Sequence, residues 1–193
     1  MTLAALLCAT GDARTAHAAA GLLERLRNVL PAAPVRALVQ GPRNYLWVAT
    51  SVGLSRYDGR RFVFVGQTEG LTGAVAALTL DPKGNVWAVG DGGALLQITG
   101  DHTRRISVDQ LEVPHVLLAV PHEVWIGDDA GVVLVKLNEN GTHTEARLKV
   151  SMPLPRVHAL ETDAQGVVWA GGDEGLWRIE GQSLNQVWVQ PAV

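Results

Sequence analysis

Four tryptophans, each followed six residues later by a glycine, limit what this chain can fold into more than any other feature. Trp47 and Gly53, Trp87 and Gly93, Trp125 and Gly131, and Trp169 and Gly175 form the pairs. Trp-to-Trp steps run 40, 38 and 44 residues, while the Trp-to-Gly step never changes. Constant spacing inside a unit and variable spacing between units is the mark of loop insertions separating copies of one element. A period of about 40 residues, filled with short strands, is that of a β-propeller blade. The chain is therefore expected to be all-β, a propeller-like array of four four-stranded antiparallel blades, incomplete or open, at about 35–65, 75–108, 115–150 and 157–189.

Each blade reads as strand, turn, strand, turn, strand, hairpin, strand. Blade one runs Val35–Leu38, Leu46–Ala49, Leu54–Tyr57 and Phe62–Val65, with Asp58-Gly59 as a hairpin signal. Blade two has Val75–Leu80, Val86–Val89 and Ala94–Ile98, with an outer strand expected near Arg105–Val108. Blade three begins at His115 and shortens its first turn to Pro121-His122-Glu123, with a last strand expected near Ala146–Val150. Blade four has Val157–Leu160, Val167–Ala170, Leu176–Ile179 and an outer strand expected at Val187–Val189.

Composition narrows the function classes. At 193 residues, 47% hydrophobic and a net charge of -3, the chain has apolar mass for one sizeable core and no basic footprint for nucleic acid. The single Cys8 excludes an intrachain disulfide framework and a cysteine-rich metal site. No run of 18 apolar residues is present, so no membrane-spanning helix is encoded. Residues 1–20 carry a weak signal-like pattern, with apolar Leu3–Ala9 and small residues around Ala16-His17-Ala18 but no preceding Lys or Arg. Residues 21–34 read as a short helix and lead-in: Leu23, Leu26 and Leu30 share one face, and Pro31 and Pro34 end it. Such a helix is suited to covering a sheet edge.

Stacking the repeats gives columns. Trp47, Trp87, Trp125 and Trp169 are expected to fill the space between adjacent sheets. Gly53, Gly93, Gly131 and Gly175 mark a turn needing positive φ or close backbone approach. Four residues after each Trp stand Ser51, Asp91, Asp129 and Asp173, a ring suited to a cation or a donor, though Asp is also a favoured turn former. The inner-strand column reads Arg36, Ala76, Val116 and His158, and its charged members suit an anionic or polar ligand. His115 and His158 are expected to approach near the axis, which leaves a lyase-type acid/base pair open. No catalytic or metal residue is assigned: the histidines lack helical i, i+4 pairing, and no P-loop, dinucleotide or G-x-S-x-G motif occurs. The "GGDEG" at Gly171–Gly175 lies wholly inside the repeat and is read as part of it.

The segments "VRALVQGPRNYLWVATSVGLSRYDGRRF", "VAALTLDPKGNVWAVGDGGAL" and "VHALETDAQGVVWAGGDEGLWRI" resemble the two-component regulator propeller repeat, as does the lead-in "EGLTGAV". The resemblance covers about residues 31–189, with blade three the most divergent. It implies an extracytoplasmic sensor propeller, ordinarily followed by a membrane helix and a histidine kinase or other output domain. The "G-n-vW" turns are also similar to those of streptogramin-lyase-like propellers. Four repeats are fewer than a sensor of this family carries; with four in-register repeats and no complementary end strand, an open or fragmentary arc is expected, which a second copy could complete. The resulting expectation is a non-catalytic ligand-sensing module with Arg36, His158, Asp91, Asp129 and Asp173 as binding residues. Its ligand would be a small molecule such as a glycan or metabolite, with no cofactor; the resemblance and the signal-like segment imply a periplasmic or other extracytoplasmic setting, with a cytoplasmic one as the alternative. A protein-interaction propeller and a lyase-like enzyme are the alternatives.

Overall fold

The computed structural model describes residues 33–109, 111–138, 143–147, 156–180 and 183–189. The expected signal-like segment and helix at 1–30 lie outside them. Blade one consists of β1 (Val35–Gln40), β2 (Leu46–Thr50), β3 (Gly53–Tyr57) and β4 (Phe62–Val65). Blade two consists of β5 (Val75–Leu80), β6 (Val86–Gly90), β7 (Ala94–Thr99) and β8 (His102–Ser107). Blade three contains β9 (Pro114–Val120), β10 (Glu123–Asp128), β11 (Gly131–Leu137) and β12 (His143–Arg147). Blade four contains β13 (Val157–Thr162), β14 (Val168–Gly172), β15 (Gly175–Glu180) and β16 (Ser183–Val189). Each blade is a separate antiparallel sheet with its strands in chain order.

Three outer strands differ from expectation. β8 begins at His102, because Gly100 (φ 61) and Asp101 make a tight turn that pairs Thr99 with His102. β12 lies at 143–147 and not near 146–150, and β16 starts at Ser183, well before Val187. Outer strands carry weak apolar alternation in the sequence, so the apolar signal misplaces their ends.

The tryptophan column packs as expected. Trp47, with Ala49 and Leu54, meets Val75, Val86, Ala88 and Leu96 of blade two. Trp87 lies with Val124, Ile126, Val133 and Val135 of blade three. Trp125 lies with Val168, Ala170, Trp177 and Ile179 of blade four. Each of these three indoles thus seals the seam to the following blade, and this burial of aromatic surface holds the sheets together. Trp169 occupies the same place in blade four but is only partly buried, with Leu176 and Trp188 (53% exposed) beside it on the sheet. Three seams among four sheets make an open arc, not a closed ring.

The motif preceding the Trp has its own physical role. In blade two, Asp81 Oδ1 accepts from the Lys83 and Asn85 backbone N–H groups, and its Oδ2 accepts from the Trp87 indole at 3.2 Å. Blade four repeats this with Asp163, Gln165, Val167 and Trp169 at 2.9 Å. Donation by the Trp169 indole, then by the Val167 backbone, holds the Asp163 carboxyl below its ordinary value. Blade one has Gly41 where the Asp would stand, and blade three replaces the turn by Val120 paired with Glu123 around Pro121-His122. In these two blades the indole nitrogens of Trp47 and Trp125 are buried without an acceptor.

The glycine column behaves as its recurrence suggests. Gly53, Gly131 and Gly175 have φ of 144, 124 and 140 and close the turn after the Trp strand, while Gly93 has φ 75. Positive φ at one turn position in every blade explains why glycine recurs there.

Candidate functional site

The rim carrying the turns after β2, β6, β10 and β14 also carries the starts of the inner strands. Each inner strand has a bulge near its start, which leaves one residue out of the ladder: Arg36, Ala76, His115 and His158. A bulge re-aims the side chain of its extra residue. The inner column therefore contains His115 in place of the expected Val116, which instead pairs with Gly127. Blade three's first turn is one residue shorter than the others when counted from the tryptophan, since Trp125 pairs with Leu118 but Trp47 with Val39. Counting two deleted residues shifts the column to Val116; counting one restores His115.

Side chains from the two columns join. His115 Nε2 lies 2.6 Å from Asp129 Oδ1, and His158 Nε2 lies 2.6 Å from Asp173 Oδ1. Each imidazole thus meets the Asp of its own blade. The two rings are neighbours, with centroids 5.6 Å apart. Arg156, one residue before β13, donates through Nε to Asp129 Oδ1 at 2.8 Å and ties blade four to blade three. Blade two has Ala76 on its inner strand, and its Asp91 is met across the seam by Arg36 Nη1 at 3.1 Å. Ser51 of blade one supplies no carboxylate.

All five expected residues therefore sit on one rim in basic–acidic side-chain pairs: Arg36 with Asp91, His115 and Arg156 with Asp129, and His158 with Asp173. Their side chains are partly solvent-exposed, so the pairs face water and can exchange partners with a solute. The hydrogen bond from His115, with Arg156 adding to it, holds the Asp129 carboxyl below its ordinary value against a smaller opposing effect of desolvation. Sequence reasoning missed Arg156, whose column shows no repeated basic residue. It also missed Asp128, which is fully buried and accepts from the Glu112 and Ala130 backbone N–H groups. Among the described residues no cluster of three or more His, Cys, Asp or Glu side chains is placed to hold a metal ion.

No family model matches the chain, and no curated protein matches it. Solved structures do. The extracellular domain of the BT4673 hybrid two-component system of B. thetaiotaomicron aligns with a TM-score of 0.66 at 16% identity, over 84% of this chain and 23% of that one. The extracellular domain of the BT3049 hybrid two-component system aligns at 0.60 and 18%, over 76% of this chain and 21% of that one. A gluconolactonase from Xanthomonas campestris aligns at 0.64 and 13%, over 81% of this chain and 62% of that one. This chain thus spans less than a quarter of the sensor domains it matches. Their likeness agrees with the resemblance carried by the repeats, and at these identities it establishes the fold alone: this chain is a four-blade arc of β-propeller fold.

Proposed function

We propose that the arc is a non-catalytic ligand-recognition module of an extracytoplasmic sensor, reading a small polar or anionic solute at the rim. The observation that carries this is the pair of imidazole–carboxylate units, His115–Asp129 and His158–Asp173, placed side by side with Arg156 between blades. Solvated ion pairs contribute little to stability, so a row of them on one rim is better suited to binding than to holding the fold. Asp129 and Asp173 have a second carboxylate oxygen outside these contacts that can accept from ligand hydroxyls. Arg36, Arg156 and His158 offer donors to a carboxylate or phosphate. The sensor domains among the structural neighbours support the reading, whereas the gluconolactonase shares the fold with a different activity.

Calorimetric titration of the intact protein against a glycan and metabolite panel tests it. A hit should be lost in Asp129→Asn and His158→Ala together; a panel without binding removes the proposal. Lactone substrates should show no turnover, and a hydrolysis rate abolished by His115→Ala would replace the reading with an enzymatic one. A second reading, a self-associating arc, is favoured by the exposed blade-four face with Trp169, Leu176 and Trp188. Concentration-dependent sedimentation that Trp188→Ser abolishes would support it.

A further inference from the structure

On the opposite rim, at the first turns of the blades, a cavity of about 450 Å³ lies between blades three and four. Its lining includes Trp125, Leu134, Val168 and Ile179, with Glu123, Lys136 and Glu180 at the polar side, Glu180 being paired with Arg178 at 2.8 Å. That volume is within the range of small-molecule sites, roughly 300–1,000 Å³. Blades two and four show what this position ordinarily supplies: a carboxylate, Asp81 or Asp163, that accepts from the indole N–H. Blade three lacks it because its turn is shortened. Trp125 is only 4% exposed, and its Nε1 has no acceptor. A buried donor without a partner carries a desolvation penalty that an incoming acceptor relieves.

We propose that this cavity binds a monocarboxylate with a short apolar tail, its carboxylate taking the place of the missing Asp. The tail would lie on Leu134, Val168 and Ile179, and the carboxylate would meet the Trp125 N–H with Lys136 nearby. Lys136 Nζ lies 3.5 Å from Glu123 Oε1, so Glu123 competes with the ligand for that cation. Nε1 is out of solvent contact, so the proposed engagement requires the indole to tip toward the cavity, a change its resonance would report.

The test follows the six indole N–H signals by ¹⁵N NMR on the full chain, with Trp125 assigned by Trp125→Phe. Hexanoate should shift the Trp125 signal saturably while hexanamide, lacking the charge, shifts it far less. Glu123→Gln should tighten hexanoate binding about threefold and Lys136→Met should weaken it by a similar factor, the scale of one exposed ion pair. Replacing Val120–Glu123 by a copy of the Asp163–Val167 turn supplies an internal carboxylate and should abolish binding, with the other indole signals reporting an intact fold. The proposal is overturned by no shift with hexanoate, by equal shifts with hexanamide, or by binding that survives the grafted turn. None of these outcomes bears on the ligand rim, whose residues are untouched.

Discussion

Replacing Trp125 by Phe should cost much less stability than replacing Trp87 by Phe, although both indoles are almost wholly buried at equivalent places in adjacent seams. The loss of ring size is common to the two and largely cancels. Trp87 donates to Asp81 Oδ2, and removing a hydrogen bond to a charged acceptor costs about 1.5–3 kcal/mol. Trp125 donates to nothing, so its replacement removes an unsatisfied buried N–H whose penalty is about 1–3 kcal/mol. The two effects have opposite signs, so the variants should differ by about 2.5–6 kcal/mol, with Trp125→Phe the milder. Urea unfolding measures this directly: with an m-value of about 2 kcal/mol/M, the midpoints should separate by about 1–3 M at unchanged slope. Equal midpoints, or a lower midpoint for Trp125→Phe, would refute the account of why the aspartate turn recurs.

Four further outcomes follow from the same geometry. Asp129 has its pKa lowered by His115 and Arg156, so its share of stability is complete above the ordinary value of 3.8 and disappears as pH falls through the lower folded value. In Asp129→Asn the acid limb of a thermal-melt pH series should therefore be flatter than in the parent; parallel curves would contradict this. Gly127→Ala should destabilise by about 1–3 kcal/mol in chemical unfolding, since its Cβ would stand 2.6 Å from Val116 Cγ1 and 2.7 Å from Val157 Cγ1 at the seam. Gly171→Ala, whose Cβ meets only Ala159 Cβ at 3.5 Å, should be near neutral. Asp128→Ala should cost about 3 kcal/mol by the same assay, because the backbone N–H groups of Glu112 and Ala130 lose a buried carboxylate.

Blade number, strand order and the inner three strands of each blade follow from local patterning in the chain. An apolar alternation, a Trp at one position and a glycine at a positive-φ turn are short-range signals, and each is repeated four times. The equivalent packing of Trp47, Trp87 and Trp125 is the direct consequence. The two residue columns of the rim were also legible, because each bulge and each turn recurs at a set distance from its Trp. Blade three broke that count: one deleted residue in a hairpin exchanged Val116 for His115, and only strand pairing reveals how many residues a turn has lost.

Tertiary structure alone decided who meets whom on that rim. Arg36 and Asp91 are 55 residues apart and belong to different blades, and Arg156 reaches Asp129 across 27. Such partnerships depend on the angle and distance between sheets, which no periodicity within one repeat encodes. The same holds for the unsatisfied indole of Trp125 and the cavity beside it. The missing aspartate is visible in the chain, but the space it leaves exists only because blade four packs against blade three.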